Sequence, residues 1–148
     1  MRKLNDETLN ALREMMIEIT YRNEFNSYMG IEVVELNENY GKMKVPFSSR
    51  ITNPYGTIHG GVLSALADTT AGTTACMNGH FVTTVSSSLN YLLPAANTEY
   101  IYCEAMKLKT GKHILVYDVR ITDDHGSLLD SGEYSFFASG KKVLEDRI

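Results

Sequence analysis

The middle of the chain, residues 59–78, contains a single charged side chain, that of Asp68. This segment begins with His59-Gly60-Gly61. Gly79 follows it, and glycine commonly ends a helix. A helix that presents no charged face to water is usually buried on most sides. We therefore expect this segment to be a central helix around which the rest of the chain folds.

The segments on either side of this helix are typical of β-strands. Residues 31–36 and 42–47 flank a turn-forming run, which predicts a hairpin before the helix. Four further apolar segments follow the helix and are separated by proline or glycine turns: residues 82–93, 100–109, 113–122 and 128–138. Since strands joined by short turns pair antiparallel, the predicted fold class is α+β, with an antiparallel sheet of about six strands wrapped around one helix.

An extra helix is predicted at the N-terminus, over residues 5–26. Leu9, Leu12, Met16 and Ile19 recur at helical spacing, and Asn5 or Asp6 can cap the helix. A chain of 148 residues suits one domain with a single core. We expect an N-terminal helix, within residues 1–29, to pack on a domain formed by residues 30–148.

Composition excludes several classes of partner. The formal net charge of −4 argues against nucleic acid, and no apolar run reaches the length of a membrane span. Two cysteines without framework spacing and an N-terminus without an apolar signal region predict a cytoplasmic protein. The four histidines lack metal-ligand spacing, so neither a metal nor another cofactor is expected.

Asp68 is the residue best placed for chemistry. Aspartate has a low propensity for the interior of a helix, so its presence there suggests a function. The small, apolar neighbours of Asp68 should leave its carboxylate partly desolvated, which suits a general base. A structural carboxylate that accepts hydrogen bonds from nearby hydroxyl groups is the alternative. The unpaired N–H groups where the same helix begins, at His59-Gly60-Gly61, can stabilise an oxyanion. A carboxylate and an oxyanion donor are the two groups that acyl transfer requires.

These residues occur in a recognisable motif. Residues 53–61 (Asn-Pro-Tyr-Gly-Thr-Ile-His-Gly-Gly), followed by Leu66-Ala67-Asp68 and Gly72, resemble the signature of hot-dog thioesterases of the phenylacetate-pathway (PaaI-like) type. Residues 83–95 are similar to the family's first strand after the helix, and the resemblance covers about residues 30–139. It implies a hot-dog fold and hydrolysis of a small aryl- or medium-chain acyl-CoA to free acid and CoA. It also implies a homodimer with shared active sites, commonly paired into a homotetramer.

The resemblance implies catalytic roles for five residues. Asp68 would be the general base or the nucleophile, and the Gly60 N–H would polarise the thioester carbonyl. Asn53 would orient the water or the carbonyl, His59 would hold the junction of loop and helix near the sulfur, and Thr84 would help to hold water. Implied substrate-binding residues are Gly61, Asn90, Tyr91, Gly111, Lys112 and His113. The last three form a turn that would meet the CoA phosphates and pantetheine arm, although a solvated hairpin tip is an equal alternative.

Three other interpretations remain open. A hot-dog hydratase or dehydratase would need a second acid or base beside Asp68, which the sequence does not supply. A non-catalytic acyl-CoA-binding module would share the fold and the pocket. Cys76 and His80, one helical turn apart, could form a thiol nucleophile, but a helix C-terminus disfavours a thiolate.

Overall fold

The computed structural model describes residues 3–146. It contains, in chain order, helices α1 (Asp6–Arg22) and α2 (Glu24–Met29), strands β1 (Glu32–Leu36) and β2 (Tyr40–Pro46), a 3-10 turn (Ser49–Ile51), helix α3 (Gly60–Cys76), and strands β3 (His80–Tyr91), β4 (Tyr100–Thr110), β5 (Ile114–Asp123) and β6 (Leu128–Lys142). The predicted α+β class is confirmed.

The six strands form one antiparallel sheet in the order β1-β2-β4-β5-β6-β3. Helix α3 packs against β2 through β6. Its residues Leu66, Ala67, Ala71 and Ala75 are fully buried against the sheet. The uncharged central segment is thus a helix enclosed by a curved sheet, as its composition predicted.

The N-terminal segment differs from the prediction of one helix over residues 5–26. Helix α1 ends at Arg22, and Asn23 adopts an extended conformation before α2 begins. The Asn23 side chain accepts a hydrogen bond from the Asn26 N–H at 3.0 Å, so it caps a new helix rather than continuing the first. Of the two candidate caps, Asn5 and Asp6, Asn5 is the cap, since its side chain accepts a hydrogen bond from the Thr8 N–H.

Helix α1 covers one end of the molecule through a second apolar cluster. Its Leu12 and Met16 are buried with Met77, which follows α3, and with Val143, which follows β6. The hairpin of β1 and β2 forms as predicted, with Met43 and Val45 fully buried. Strand β6 runs four residues past its predicted end, to Lys142.

Strand β3 is an edge of the sheet and is unusually exposed. It has twelve residues, and all six from 83 to 88 are exposed, with Val85 58% exposed. Long exposed edge strands are templates for pairing with another chain. Over the described residues, no helix is both long and apolar enough to cross a membrane.

Candidate active site

The beginning of α3 presents an unpaired backbone donor. His59 is the N-cap, and its Nδ1 accepts a hydrogen bond from the Gly61 N–H at 2.8 Å. The His59 carbonyl accepts from the N–H groups of Val62 and Leu63. Within residues 3–146, the Gly60 N–H has no acceptor. It is therefore available to a ligand, at the positive end of the helix dipole.

A cavity of about 460 Å³ opens beside this N–H. Gly60 and Leu63 line it on the helix side, Asn53 on the loop side, and Tyr91 at the end of β3. Residues 92–95 complete a largely apolar wall. The cavity thus brings together three predicted site residues, one from a loop, one from a helix and one from a strand.

The Asn53 side chain holds the loop that precedes α3. Its Oδ1 accepts hydrogen bonds from the N–H groups of Tyr55 and Thr57, and its Nδ2 donates to the Thr57 hydroxyl at 2.7 Å. One Nδ2 proton is left for a ligand in the cavity. The geometry gives Asn53 a clear structural task beside the predicted catalytic one.

Tyr91 lies directly against the beginning of the helix. Its hydroxyl donates to the Gly60 carbonyl at 3.2 Å, and its ring lies 3.3 Å from where a side chain at Gly60 would begin. The next predicted binding residue, Asn90, is exposed, and its Nδ2 donates to the Ser131 carbonyl at 3.3 Å. Gly61 is exposed, and its N–H is already used by His59.

Asp68 lies two turns further along α3 and is partly buried. Its Oδ1 accepts a hydrogen bond from the Thr84 hydroxyl at 2.7 Å. In the described part of the chain, its Oδ2 accepts none. One carboxylate oxygen is therefore held in place while the other stays free, an arrangement that suits a general base.

Asp68 and Gly60 cannot act on the same carbonyl group within one chain. They are eight residues apart on one helix, which separates them by about 12 Å along its axis. A general base must come within hydrogen-bond reach of the water it activates.

The predicted turn at residues 111–113 lies at the other end of β3. Gly111 and Lys112 line a cavity of about 550 Å³ together with His80 at the start of that strand. The His113 ring stacks on Phe137, with centroids 5.8 Å apart. Within one chain, these residues are remote from the cavity at Gly60.

The alternative nucleophile, Cys76, is unsuited to that role. Burial raises the pKa of its thiol to about 11, and His80 interacts with Asn78, with 3.2 Å between His80 Nδ1 and Asn78 Oδ1. A buried, protonated thiol is a weak nucleophile. Among residues 3–146, no group of three potential ligands could hold a metal ion.

Asp130, near the start of β6, lies outside the residues that the sequence motif identified. Its side chain is fully buried, and neither carboxylate oxygen has a hydrogen-bond partner among the described residues. Burial raises the pKa of its carboxyl to about 6. The sequence did contain a signal for an inward-facing Asp130. It lies an even number of residues from Tyr134 and Phe136 on β6, whose side chains face inward, and such residues share one face of a strand.

The comparisons with known proteins agree with this architecture. A family model described as the thioesterase superfamily matches residues 55–129, just over half of the chain. The chain is 23% identical over 95 residues to the acyl-coenzyme A thioesterase PaaI of Escherichia coli. This match covers 64% of this chain and 68% of that protein. The structure of E. coli PaaI superposes with a TM-score of 0.83 at 19% identity, covering 90% of this chain and 98% of that one.

Two other solved structures share the fold. A thioesterase of Haemophilus influenzae has a TM-score of 0.75 at 23% identity and covers 99% of this chain and 97% of its own. The structure of a hypothetical thioesterase protein of Streptococcus pneumoniae with coenzyme A has a TM-score of 0.78 at 21% identity. The match covers 85% of this chain and 98% of that one. The predicted hot-dog fold is confirmed.

Proposed function

Because the chain belongs to the thioesterase superfamily of hot-dog enzymes, we propose that it hydrolyses a small aryl- or medium-chain acyl-CoA to the free acid and CoA. The observation that carries this proposal is the pairing of a free Gly60 N–H beside an apolar cavity with the partly buried Asp68 carboxylate. An oxyanion donor and a base are the two groups that hydrolysis of a thioester needs.

The proposed reaction uses Asp68 as the base. Its free Oδ2 takes a proton from water, and the water oxygen attacks the thioester carbon while the Gly60 N–H stabilises the developing oxyanion. The tetrahedral intermediate then collapses and the C–S bond breaks. The CoA thiolate leaves and recovers the proton from Asp68. The Thr84 hydroxyl keeps the carboxylate oriented throughout, through its bond to Oδ1.

The separation of about 12 Å between Asp68 and Gly60 supports a site shared by two chains. The exposed edge strand β3 offers the means, since two such edges can pair antiparallel around a two-fold axis. Antiparallel pairing lays the Tyr91 end of one β3 beside the first half of the other. Asp68 and Thr84 of the partner subunit would then approach the cavity at Gly60, and each dimer would contain two sites.

The same pairing offers a role for residues 111–113. These residues lie near His80, at the opposite end of β3 from Tyr91. In an antiparallel dimer, the turn of one chain therefore lies on the side of its partner's cavity. Lys112, His113 and the backbone donors of the turn would contact the phosphates and the pantetheine arm of CoA there.

We further propose that two dimers associate into a tetramer in the cytoplasm. The side chains of Met106, Leu108, Ile114 and Phe137 are each 41% to 57% exposed on the outer side of the sheet. Exposed apolar groups of this kind favour association with another protein surface. Cys76 and Cys103 are buried and form no disulfide with each other. Free thiols are typical of proteins in a reducing compartment, which supports the cytoplasm. Light scattering after gel filtration would measure the mass of the assembly.

The activity is tested by thiol release from a panel of aryl- and straight-chain acyl-CoA esters. We expect turnover by the native protein and a loss of about 10² to 10⁴ in kcat for Asp68→Asn, which keeps the size of the side chain but removes the base. Asp118→Asn is the matched control, since Asp118 lies on β5 in a surface ion pair with Arg120. Undiminished kcat in Asp68→Asn would reject the assignment of the base.

The panel also distinguishes the alternative functions. Tight binding of CoA esters without thiol release would identify a non-catalytic binding module. Conversion of enoyl-CoA to hydroxyacyl-CoA would identify a hydratase. Either outcome contradicts the proposal.

A further inference from the structure

Asp130 has none of the partners that a buried carboxylate ordinarily has. Its side chain is 0% exposed, and both oxygens lack a hydrogen-bond donor in residues 3–146. Removing a carboxylate from water without a donor or a counter-charge is costly, and proteins seldom retain such a group without a use for it. The mechanism proposed above does not use this residue.

The register of the sheet shows which way Asp130 faces. Cys103, Ile121, Asp130 and Tyr91 are directly opposite one another on β4, β5, β6 and β3. Residues opposite in register share a face of the sheet. Cys103 and Ile121 are fully buried, and Tyr91 reaches the Gly60 carbonyl, so this face is the one that contacts α3.

The groups around Asp130 in the described part of the chain supply no positive charge. Tyr91 lies beside it on β3, Cys103 is in the same row on β4, and Tyr134 is four residues further along the same face of β6. Burial raises the pKa of the Cys103 thiol to about 12, and the negative charge of Asp130 adds to that rise. Burial is the cause of the raised pKa of the Asp130 carboxyl, with no contribution from a cation among residues 3–146.

Asp130 is also close to the proposed site of reaction. The Tyr91 ring contacts Gly60 at one end, and its Cβ is about 5 Å from that of Asp130, as for any directly opposed pair. Tyr91 is therefore the side chain that links Asp130 on β6 to Gly60 at the beginning of α3. Tyr91 is 55% exposed and lines the cavity, and among residues 3–146 its side chain makes one hydrogen bond, to the Gly60 carbonyl.

We propose that Asp130 determines specificity by binding an ammonium group at the far end of the acyl chain, so that the substrates are amino-substituted acyl-CoA esters. This inference rests on the proposed function. An ammonium group supplies both the missing counter-charge and the missing donors, whereas a hydroxyl group supplies one donor and leaves the charge uncompensated. The Tyr91 ring turns toward solvent to admit the chain.

Three rigid substrates of nearly equal shape test the proposal: the CoA esters of 4-(aminomethyl)benzoic, 4-(hydroxymethyl)benzoic and 4-ethylbenzoic acid. We expect kcat/KM of the native protein to favour the ammonium ester over the ethyl ester by about 10². In Asp130→Leu the order should reverse, with the change mainly in KM, because Asp130 binds the substrate but takes no part in the chemistry. Glu133→Gln, which removes an exposed acid from the same strand, should keep the native order.

Binding of the same esters to Asp68→Asn, measured by calorimetry, separates this inference from the proposed function. A native protein that hydrolyses no CoA ester would overturn the thioesterase assignment, yet the Kd values would still show whether the ammonium ester is preferred. Equal Kd for the three esters, a preference for the hydroxymethyl ester, or an unchanged order in Asp130→Leu would each overturn the role of Asp130.

Discussion

Gly60 is a position where a backbone donor can be removed with little harm to the helix. It is the first residue of α3, where proline is well tolerated because that N–H has no partner within the helix. His59, with φ of −61° and ψ of 133°, already has the conformation that a following proline requires. We expect Gly60→Pro to keep its melting temperature and to lose about 10² to 10³ in kcat, since it lacks the oxyanion donor.

Gly60→Ala is the matched control for this variant. Alanine restores the N–H but adds the same Cβ, 3.3 Å from the Tyr91 ring. A large loss in Gly60→Pro with near-native kcat in Gly60→Ala would assign the effect to the N–H. Equal losses in both would assign it to displacement of Tyr91.

Asp130 should make the stability of the protein depend on pH in an unusual direction. Burial raises the pKa of its carboxyl from 3.8 to about 6 in the folded protein. The ionised group therefore opposes folding: the penalty is absent below about pH 4, grows as pH rises between 4 and 6, and is complete above 6. Asp130→Leu should raise the free energy of unfolding at pH 8 by up to about 3 kcal/mol relative to the native protein.

Chemical denaturation at pH 4 and at pH 8 measures this effect. The difference between Asp130→Leu and the native protein should be larger at pH 8 by most of that amount. A difference independent of pH would mean that the carboxyl of Asp130 has the same pKa in the folded and the unfolded protein. A residue that lowers stability yet binds substrate would be a case of function retained against stability.

Helix α3 and strand β2 approach so closely that one of them must lack a side chain. A Cβ built on Gly41 of β2 would overlap the Thr74 hydroxyl on α3, which donates to the Thr70 carbonyl at 2.6 Å. We expect Gly41→Ala to lower the free energy of unfolding by about 1 to 3 kcal/mol, through overpacking and disturbance of this hydrogen bond. Gly140→Ala is the control, since no atom of residues 3–146 lies within 4 Å of its added carbon. Urea denaturation of both variants measures the difference.

Most elements could be predicted because their signals are local. The near absence of charge over residues 59–78 identified α3, and turn-forming residues separated the strands. The break at Asn23 was missed because no proline or glycine marks it in the sequence, while the Asn23 side chain competes for a backbone N–H three residues on. The close contact of Gly41 with Thr74 depends on how two elements pack, which periodicity does not reveal.

The candidate site was predictable only in part, for a related reason. Asp68 stood out as a lone charge, and the motif around it identified Gly60 and Asn53. Asp130 did not stand out, because its significance comes from register: it is opposite Tyr91, which in turn contacts Gly60. Sequence gives the alternation along one strand, whereas the neighbours across a sheet follow only from the assembled fold.

At the scale of the whole molecule, the proposed shared site can be tested by mixing two inactive variants. In a dimer that joins Asp68→Asn to Gly60→Pro, one site combines the intact Gly60 of the first chain with the intact Asp68 of the second. The other site combines both substitutions, Gly60→Pro from one chain and Asp68→Asn from the other. Random reassociation makes half of the dimers mixed, so the mixture should regain about one quarter of native activity per chain.

The two variants would be unfolded together, refolded together and assayed by thiol release, with each variant refolded alone as a control. Recovery should follow the fraction of mixed dimers as the ratio of the chains is varied, with its maximum at equal amounts. If Asp68 and Gly60 of the same chain formed the site, every site in every dimer would carry one lesion, and mixing would restore nothing. That result would overturn the inference drawn from their separation of about 12 Å along α3.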